Sequence, residues 1–336
     1  MAQELLGLPH LLPLALPPPP IMRLLFPLLL LLVGSGFAEP LDSGPTAKGW
    51  EGKGDDSEGC LDNGEDNATR ICLTRYLVSN MPPWDVENRG TLELGILRTT
   101  VELAMEARKS HSWAAGVPWP LFKDWVLPYA SVNEARSDWR RLFRSALAPL
   151  VVNATGLQEA VQLVNRHAWS AVRPWGRIVF KHQQTPLIYD PMSTIAYGFA
   201  SCTGISIVLI DALRSVGVPA RLAGTPAWNG DVAAGNHNWV EVWLGAESGE
   251  DDGWVFMEGA PAGGGSLSNP CSKWFCSAAK MAGTEVFAAR FDRRASDTIY
   301  PMSWDLDNQH VPGVNRTAYY RKVCGRCGSR RLSVHV

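Results

Sequence analysis

The 336-residue chain has no basic stripe and no surplus of charge of either sign: 31 Lys and Arg stand against 33 Asp and Glu, a formal net charge of −2. Nucleic-acid binders need clustered cations to neutralise phosphates, so that class of partner is not expected. No internal repeat is visible, which sets repeat architectures aside. The leucine run Leu24 to Val33, interrupted by Pro27, is too short for a bilayer span of roughly 20 residues, so no stable membrane span is expected. Calcium ligands at the required spacing are also missing. Asp62-Asn63-Gly64-Glu65-Asp66 begins like a calcium loop, but the later Glu is absent and acidic linker is the better reading. No metal and no cofactor are expected. A hydrophobic fraction of 46% nevertheless suffices for a sizeable core domain with a helical companion, and excludes a disordered or fibrous chain.

What the chain does have begins at its N-terminus. Met22-Arg23 precedes the leucine run, and Gly34-Ser35-Gly36-Phe37-Ala38 follows it with small residues placed for cleavage before Glu39. Residues 1–38 therefore read as a secretory signal peptide, with Met22 an alternative initiator because Glu4, His10 and the prolines at 17 to 20 make a poor start. Sequons at Asn67, Asn153 and Asn315 fit a glycoprotein of the secretory lumen or the exterior. Of seven cysteines, Cys60, Cys72, Cys271, Cys276, Cys324 and Cys327 can pair in an oxidising compartment, leaving Cys202 as a reactive thiol. Cys60 and Cys72 pair locally; the four C-terminal cysteines pair either locally or across. A zinc site from those four would want tighter spacing in both halves. The Cys324-Gly325-Arg326-Cys327 segment has redox spacing but no βαβ context, so a structural bridge is the better reading.

Residues 39–69 read as a disordered acidic, glycine-rich leader, 70–170 as a mostly helical subdomain, 171–290 as an α+β core and 291–336 as a C-terminal extension. In the helical half, apolar residues recur from Leu92 to Ala107 ahead of Arg108-Lys109. Further helices are expected near Leu121 to Val126, Glu134 to Leu147 and Leu157 to Trp169. Strands are expected at Ile178 to Phe180, Ala220 to Ala223, Asn238 to Leu244 and Trp254 to Met257.

Cys202 stands where a glycine-punctuated turn, Tyr197 to Ser201, gives way to helical spacing through Ile205, Val208, Leu209, Ala212, Leu213 and Val216, stopped by Gly217 and Pro219. Unpaired N–H groups at a helix start favour the thiolate, which is the nucleophile. His237 opens a strand whose period of two puts His237, Trp239, Glu241 and Trp243 on one face, and Asn238, Val240, Val242 and Leu244 on the other. Glu258 alternates with Val255 and Met257 and can share the His237 face on the neighbouring strand. The carboxylate would then orient the imidazole, which would deprotonate the thiol, and N–H groups around Cys202 would hold an oxyanion. Taken singly, each residue has a duller reading as core or surface; the combination in this order favours the catalytic one.

At these residues the chain closely resembles the core of the transglutaminase-like superfamily. The resemblance is carried by Ser201-Cys202-Thr203-Gly204-Ile205-Ser206, Asp211 to Arg221, Gly235 to Trp243 and Gly253 to Phe256, and covers roughly residues 175 to 285. Val126-Leu127-Pro128-Tyr129 and Asn133-Glu134 resemble the N-terminal part of secreted or bacterial-type members. The resemblance implies a papain-like α+β fold, a helix packed on an antiparallel sheet, and a Cys–His–acid triad with Cys202 and His237 in the first two positions. Members usually carry Asp four residues after the strand tryptophan; here that place is Glu258, with Asn238 and Glu241 as fallbacks. Arg221 is expected to anchor structure by ion pairing. Trp239 and Trp243 are candidates for cleft wall or equally for core packing, and Asn236 is a candidate oxyanion or positioning residue. The activity implied is that of a secreted thiol enzyme acting on amide bonds of protein or peptide substrates through a thioester. Crosslinking, deamidation and hydrolysis are all open, and the alternative is a non-catalytic binding or scaffold protein that keeps the fold.

Overall fold

The computed structural model describes residues 60, 67–87, 92, 94–293 and 297–327. The expected signal peptide and most of the expected leader, including the calcium-like Asp62–Asp66 stretch, lie outside the described residues. The chain is α+β, and its centre is the helix Cys202–Ser215. Every residue of that helix from Thr203 to Ser215 is buried, as expected of a helix that is apolar nearly all round. Its C-terminal end is fixed by two buried arginines. Arg140 donates to the carbonyls of Arg214 at 3.0 Å and Val126 at 2.8 Å, and Arg214 donates to those of Trp125 and Ala220, both at 3.1 Å. Cations at a helix C-terminus satisfy carbonyls left without intrahelical partners. The opposite end, with Cys202, is thereby aimed outward.

Two short strands, β1 (Val179–Phe180) and β2 (Phe199–Ala200), pair in parallel beside the helix. The main sheet contains β3 (Ala220–Thr225), β4 (His237–Trp243), β5 (Trp254–Met257), β6 (Phe287–Ala289) and β7 (Gly313–Asn315), in the order β5-β4-β3-β6-β7. All its pairings are antiparallel. The β3–β4 register places Thr225 opposite His237 and Ala220 opposite Val242; the β4–β5 register places Val240 opposite Met257. Val240, Val242, Val255 and Met257 face the helix, as the alternation requires, and belong to the same core as the helices of the N-terminal half. The opposite face carries Trp239, Phe256 and Ala288 into a second apolar cluster with Phe275 and Tyr320.

The N-terminal helices are Asn67–Ser79, Pro83–Glu87, Leu94–Ser110, Ser112–Ala115, Trp119–Trp125, Trp139–Leu147 and Leu157–Ala171. Residues 67–69 are thus helical rather than part of a leader. The helix expected from Glu134 begins only at Trp139. Glu134 instead accepts from the backbone N–H groups of Ser131 at 2.6 Å and Val132 at 2.7 Å and pairs with Arg136 at 3.4 Å, which holds the segment as a loop. The strand expected at Ile178 to Phe180 exists but joins β2, not the main sheet. Beyond 290 lies the helix Thr317–Gly325, whose Tyr320, Val323 and Cys324 are buried.

The three disulfides are Cys60–Cys72, Cys271–Cys327 and Cys276–Cys324. The four C-terminal cysteines are therefore paired across, and the two of the Cys324–Cys327 segment do not pair with each other. Cys202 is free. Three disulfides are compatible with an extracellular or secretory location. Among the described residues, no helix is long and apolar enough to cross a membrane.

Candidate active site

Ser201 caps the Cys202 helix with an extended backbone, so the first-turn N–H groups point out of the helix at the level of the thiol. Close packing there depends on Gly204. A Cβ at that position would stand 2.6 Å from the Ala200 Cβ and 3.0 Å from the Tyr189 Cα. Glycine lets the segment before the helix press against its first turn and fixes where the sulfur emerges.

His237 is the first residue of β4 and is 6% exposed; Glu258 immediately follows β5 and is 3% exposed. His237 Nε2 lies 2.7 Å from Glu258 Oε1. That bond leaves Nδ1 for the Cys202 thiol, the other group whose hydrogen bonding and charge act on the ring. Thiol, imidazole and carboxylate are thus brought together from a helix start, a strand start and a strand end.

Burial alone would push the Cys202 thiol up. It is outweighed by the hydrogen bond and positive charge of His237, the Asn238 N–H and the Thr203 hydroxyl, and the thiol is held below its ordinary value. Burial alone would lower His237; hydrogen bonds and charge from Cys202 and Glu258 raise it instead, to about 9. Both shifts favour the thiolate–imidazolium form of the pair.

A polar network on the other face of β4 supports the thiol. Asn238 Nδ2 donates to Thr203 Oγ1 at 2.8 Å, and the buried Tyr300 hydroxyl donates to Asn238 Oδ1. Gly224, facing Asn238 across the hairpin, makes room: a Cβ there would meet the Tyr300 hydroxyl at 2.8 Å. Around the imidazole stand four aromatic rings, Trp228, Trp239, Trp274 and Phe275, with centroids 6.2, 5.7, 5.0 and 5.4 Å away. They keep water from the His237–Glu258 bond. Trp274 also donates its indole N–H to Glu258 Oε1 at 3.2 Å.

Cys202 and His237 open into a cleft of about 510 Å³ whose walls include Phe180, Pro186, Asn236, Ser303 and Trp304. No Asp, Glu, Lys or Arg lines it. Asn236 is exposed on its rim. Trp239 and Trp243, open from the sequence to either a cleft-wall or a core reading, do not line it. Trp239 is fully buried on the far side of the imidazole, stacked on Phe275 at 4.5 Å and donating to the Tyr320 hydroxyl at 2.6 Å. Trp243 lies at the other end of β4, six residues from His237, packed by Gly245 and Gly253. Glu241 is committed elsewhere. It is paired with Arg221 at 2.6 Å and Arg316 at 3.0 Å, so Arg221 anchors structure, and it accepts from Tyr320 at 3.0 Å. Asn238 is taken by Thr203 and Tyr300, which leaves Glu258 as the acid at the imidazole. The sequon asparagines Asn67, Asn153 and Asn315 are exposed.

Tyr300, Thr203 and Trp274 were not anticipated from the sequence. The last had a readable signal, an aromatic pair Trp274-Phe275 between cysteines 271 and 276; Tyr300 had none, being brought in by the long segment between β6 and β7.

Residues 152–259 match the family model of the transglutaminase-like superfamily. The chain carries a transglutaminase-like domain. Cys202, His237 and Glu258 all fall inside the matched segment, Glu258 one residue from its end. Trp274, Tyr300 and the crossed disulfides lie beyond it. A comparison with curated proteins finds no match.

Proposed function

We propose that this protein is a thiol acyltransferase or amide hydrolase of the secretory route, with Cys202 as nucleophile, His237 as general acid and base, and Glu258 orienting the imidazole. The observation that carries the reading is a half-buried Cys202 grouped with the buried His237 and Glu258 at a cleft lined by no Asp, Glu, Lys or Arg. The thiolate attacks an amide carbonyl carbon, and the carbonyl π-electron pair moves onto oxygen, where first-turn N–H groups receive it. As the tetrahedral intermediate collapses, the C–N bond breaks and the imidazolium proton passes to the leaving amine. A thioester and a neutral imidazole remain. Water or a second amine, deprotonated by His237, then attacks the thioester and releases the thiolate. The cleft lining, with Phe180, Pro186 and Trp304 and no fixed charge, suits an uncharged amide-bearing or apolar segment of a protein or peptide.

The test is to incubate the protein with a peptide bearing an electrophilic glutamine analogue and map the adduct by mass spectrometry. The expected result is one adduct at Cys202, absent in Cys202→Ser, which also loses amine incorporation and amide hydrolysis. An adduct elsewhere, or full activity in Cys202→Ser, overturns the reading; no adduct together with an ordinary thiol titration would make the protein a scaffold that keeps the fold.

A further inference from the structure

The carboxylate that orients His237 is itself held from outside the matched domain. Glu258 is one methylene longer than an aspartate would be, so it has an extra rotatable bond between backbone and charge. Its backbone is fixed, because Asn165 Nδ2 donates to its carbonyl at 3.0 Å. Its carboxylate is not fixed by the matched segment alone. Oε1 accepts from His237 at 2.7 Å and from Trp274 Nε1 at 3.2 Å. Trp274 is 54% exposed while His237 and Glu258 are almost fully buried. The indole therefore stands between their bond and solvent.

The stretch bearing Trp274 is tied down at both ends. Cys271 is bonded to Cys327 and Cys276 to Cys324, so the six-residue span Cys271–Cys276 that presents Trp274 and Phe275 is bolted to the helix Thr317–Gly325 and its C-terminal edge. That helix is packed into the sheet through Tyr320, which bonds both Trp239 and Glu241. Between the bridges, Lys273 is 2% exposed, donates to the carbonyl of Ser266 and lies 5.0 Å from the Phe256 ring centroid. A loop anchored this way has few ways to move.

We propose that Trp274 is a positioning residue for Glu258, and that the crossed disulfide pair 271–327 and 276–324 makes the C-terminal extension a structural part of the reaction centre. The inference rests on the triad reading above, but its test reads the thiol and not a product. With the indole N–H removed, Oε1 keeps one donor and the carboxylate is free to turn, so the imidazolium loses part of the negative charge aimed at it. The thiolate that depends on the imidazolium then forms less readily.

The experiment is the pH dependence of Cys202 alkylation by iodoacetamide, followed by mass mapping, in the wild-type protein, Trp274→Phe and Glu258→Gln. Phenylalanine keeps a ring at a half-exposed position and removes only the donor; thermal melts verify that the variants are folded at the assay temperature. In Trp274→Phe the midpoint should move up toward that of Glu258→Gln, and alkylation below the wild-type midpoint should slow about three- to tenfold. A merely structural role would leave the titration where it is. A depressed wild-type midpoint with a superimposable Trp274→Phe profile overturns the inference and spares the triad. A wild-type thiol titrating at the ordinary cysteine value overturns both.

Discussion

Replacing Glu258 by Gln is the sharpest perturbation of the site, because it removes one charge and almost no volume. The carboxylate lies 2.7 Å from His237 Nε2, and both groups are buried. Two unit charges about 4 Å apart at an effective dielectric near 20 interact by about 4 kcal/mol, which bounds the effect from above. Gln retains an acceptor for the imidazole N–H, so a loss of about 1–2 pK units in imidazolium stability is expected, within the range for removal of a neighbouring opposite charge. His237, now raised to about 9, would fall toward its ordinary value. Thiolate and imidazolium form together, so the population of the ion pair should drop by about 10–100-fold, and alkylation of Cys202 at slightly acid pH should slow by the same factor. Acyl transfer should fall at least as far, because a misoriented imidazole also delivers its proton poorly to the leaving amine. The assay is the alkylation profile from pH 4 to pH 10 beside a turnover measurement with an amide substrate. If Glu258→Gln and the wild-type protein gave the same alkylation profile, the carboxylate would have no part in activating the thiol.

Two further outcomes follow from other groups. Activity against pH should be bell-shaped: the acid limb marks formation of the depressed Cys202 thiolate, and the alkaline limb, near pH 9, marks loss of the His237 proton that the leaving amine needs; a rate still climbing at pH 10 would contradict it. Asp211, buried in the Cys202 helix with both oxygens lacking a hydrogen-bond partner, is pushed well above the carboxylate range by burial, against the opposing charge of Arg214. A carboxyl held neutral in the fold but ionised in the unfolded chain above about pH 3.9 costs stability as pH rises. Asp211→Asn should therefore gain in melting temperature relative to the wild-type protein between pH 4 and pH 8, and parallel melting profiles would refute it.

Much of this site was legible because its elements have strong periods. The run from Ile205 to Val216 could only be a buried helix, and the alternation through β4 and β5 decided which side chains face it. The two-residue step between His237 and Trp239 likewise put them on one face, correctly. Which side of the imidazole the tryptophan occupies is not a matter of period: Trp239 is covered by Phe275 and Tyr320, which come from the C-terminal extension. β6 and β7 were illegible for a related reason. Three residues each, Phe287–Ala289 and Gly313–Asn315 carry no alternation to read; β6 exists because β3 offers it an edge, and β7 because β6 does. The premature helix start at Glu134 is a case of local chemistry overriding propensity, since a carboxylate that captures two backbone N–H groups is worth more in the loop than in a first turn.

Register also explains how a glutamate reaches the imidazole. The ladder pairs Val240 with Met257 and Glu241 with Phe256. Continued by one step, it sets Trp239 opposite Glu258, so Glu258 and His237 are diagonal neighbours on one face rather than directly opposed. Diagonal positions in an antiparallel pair are about 7–8 Å apart at the backbone, within reach of long side chains. The second methylene of Glu258 spans part of that diagonal and brings Oε1 to 2.7 Å from the ring. The added length costs orientation, because each extra rotor multiplies the directions in which the carboxylate can point. A second donor on the same oxygen removes that freedom, and here it is the Trp274 indole, fixed by disulfides that lie wholly outside the matched segment. The longer acid and the bridged extension are thus two parts of one solution: either alone would leave the imidazole without a fixed counter-charge.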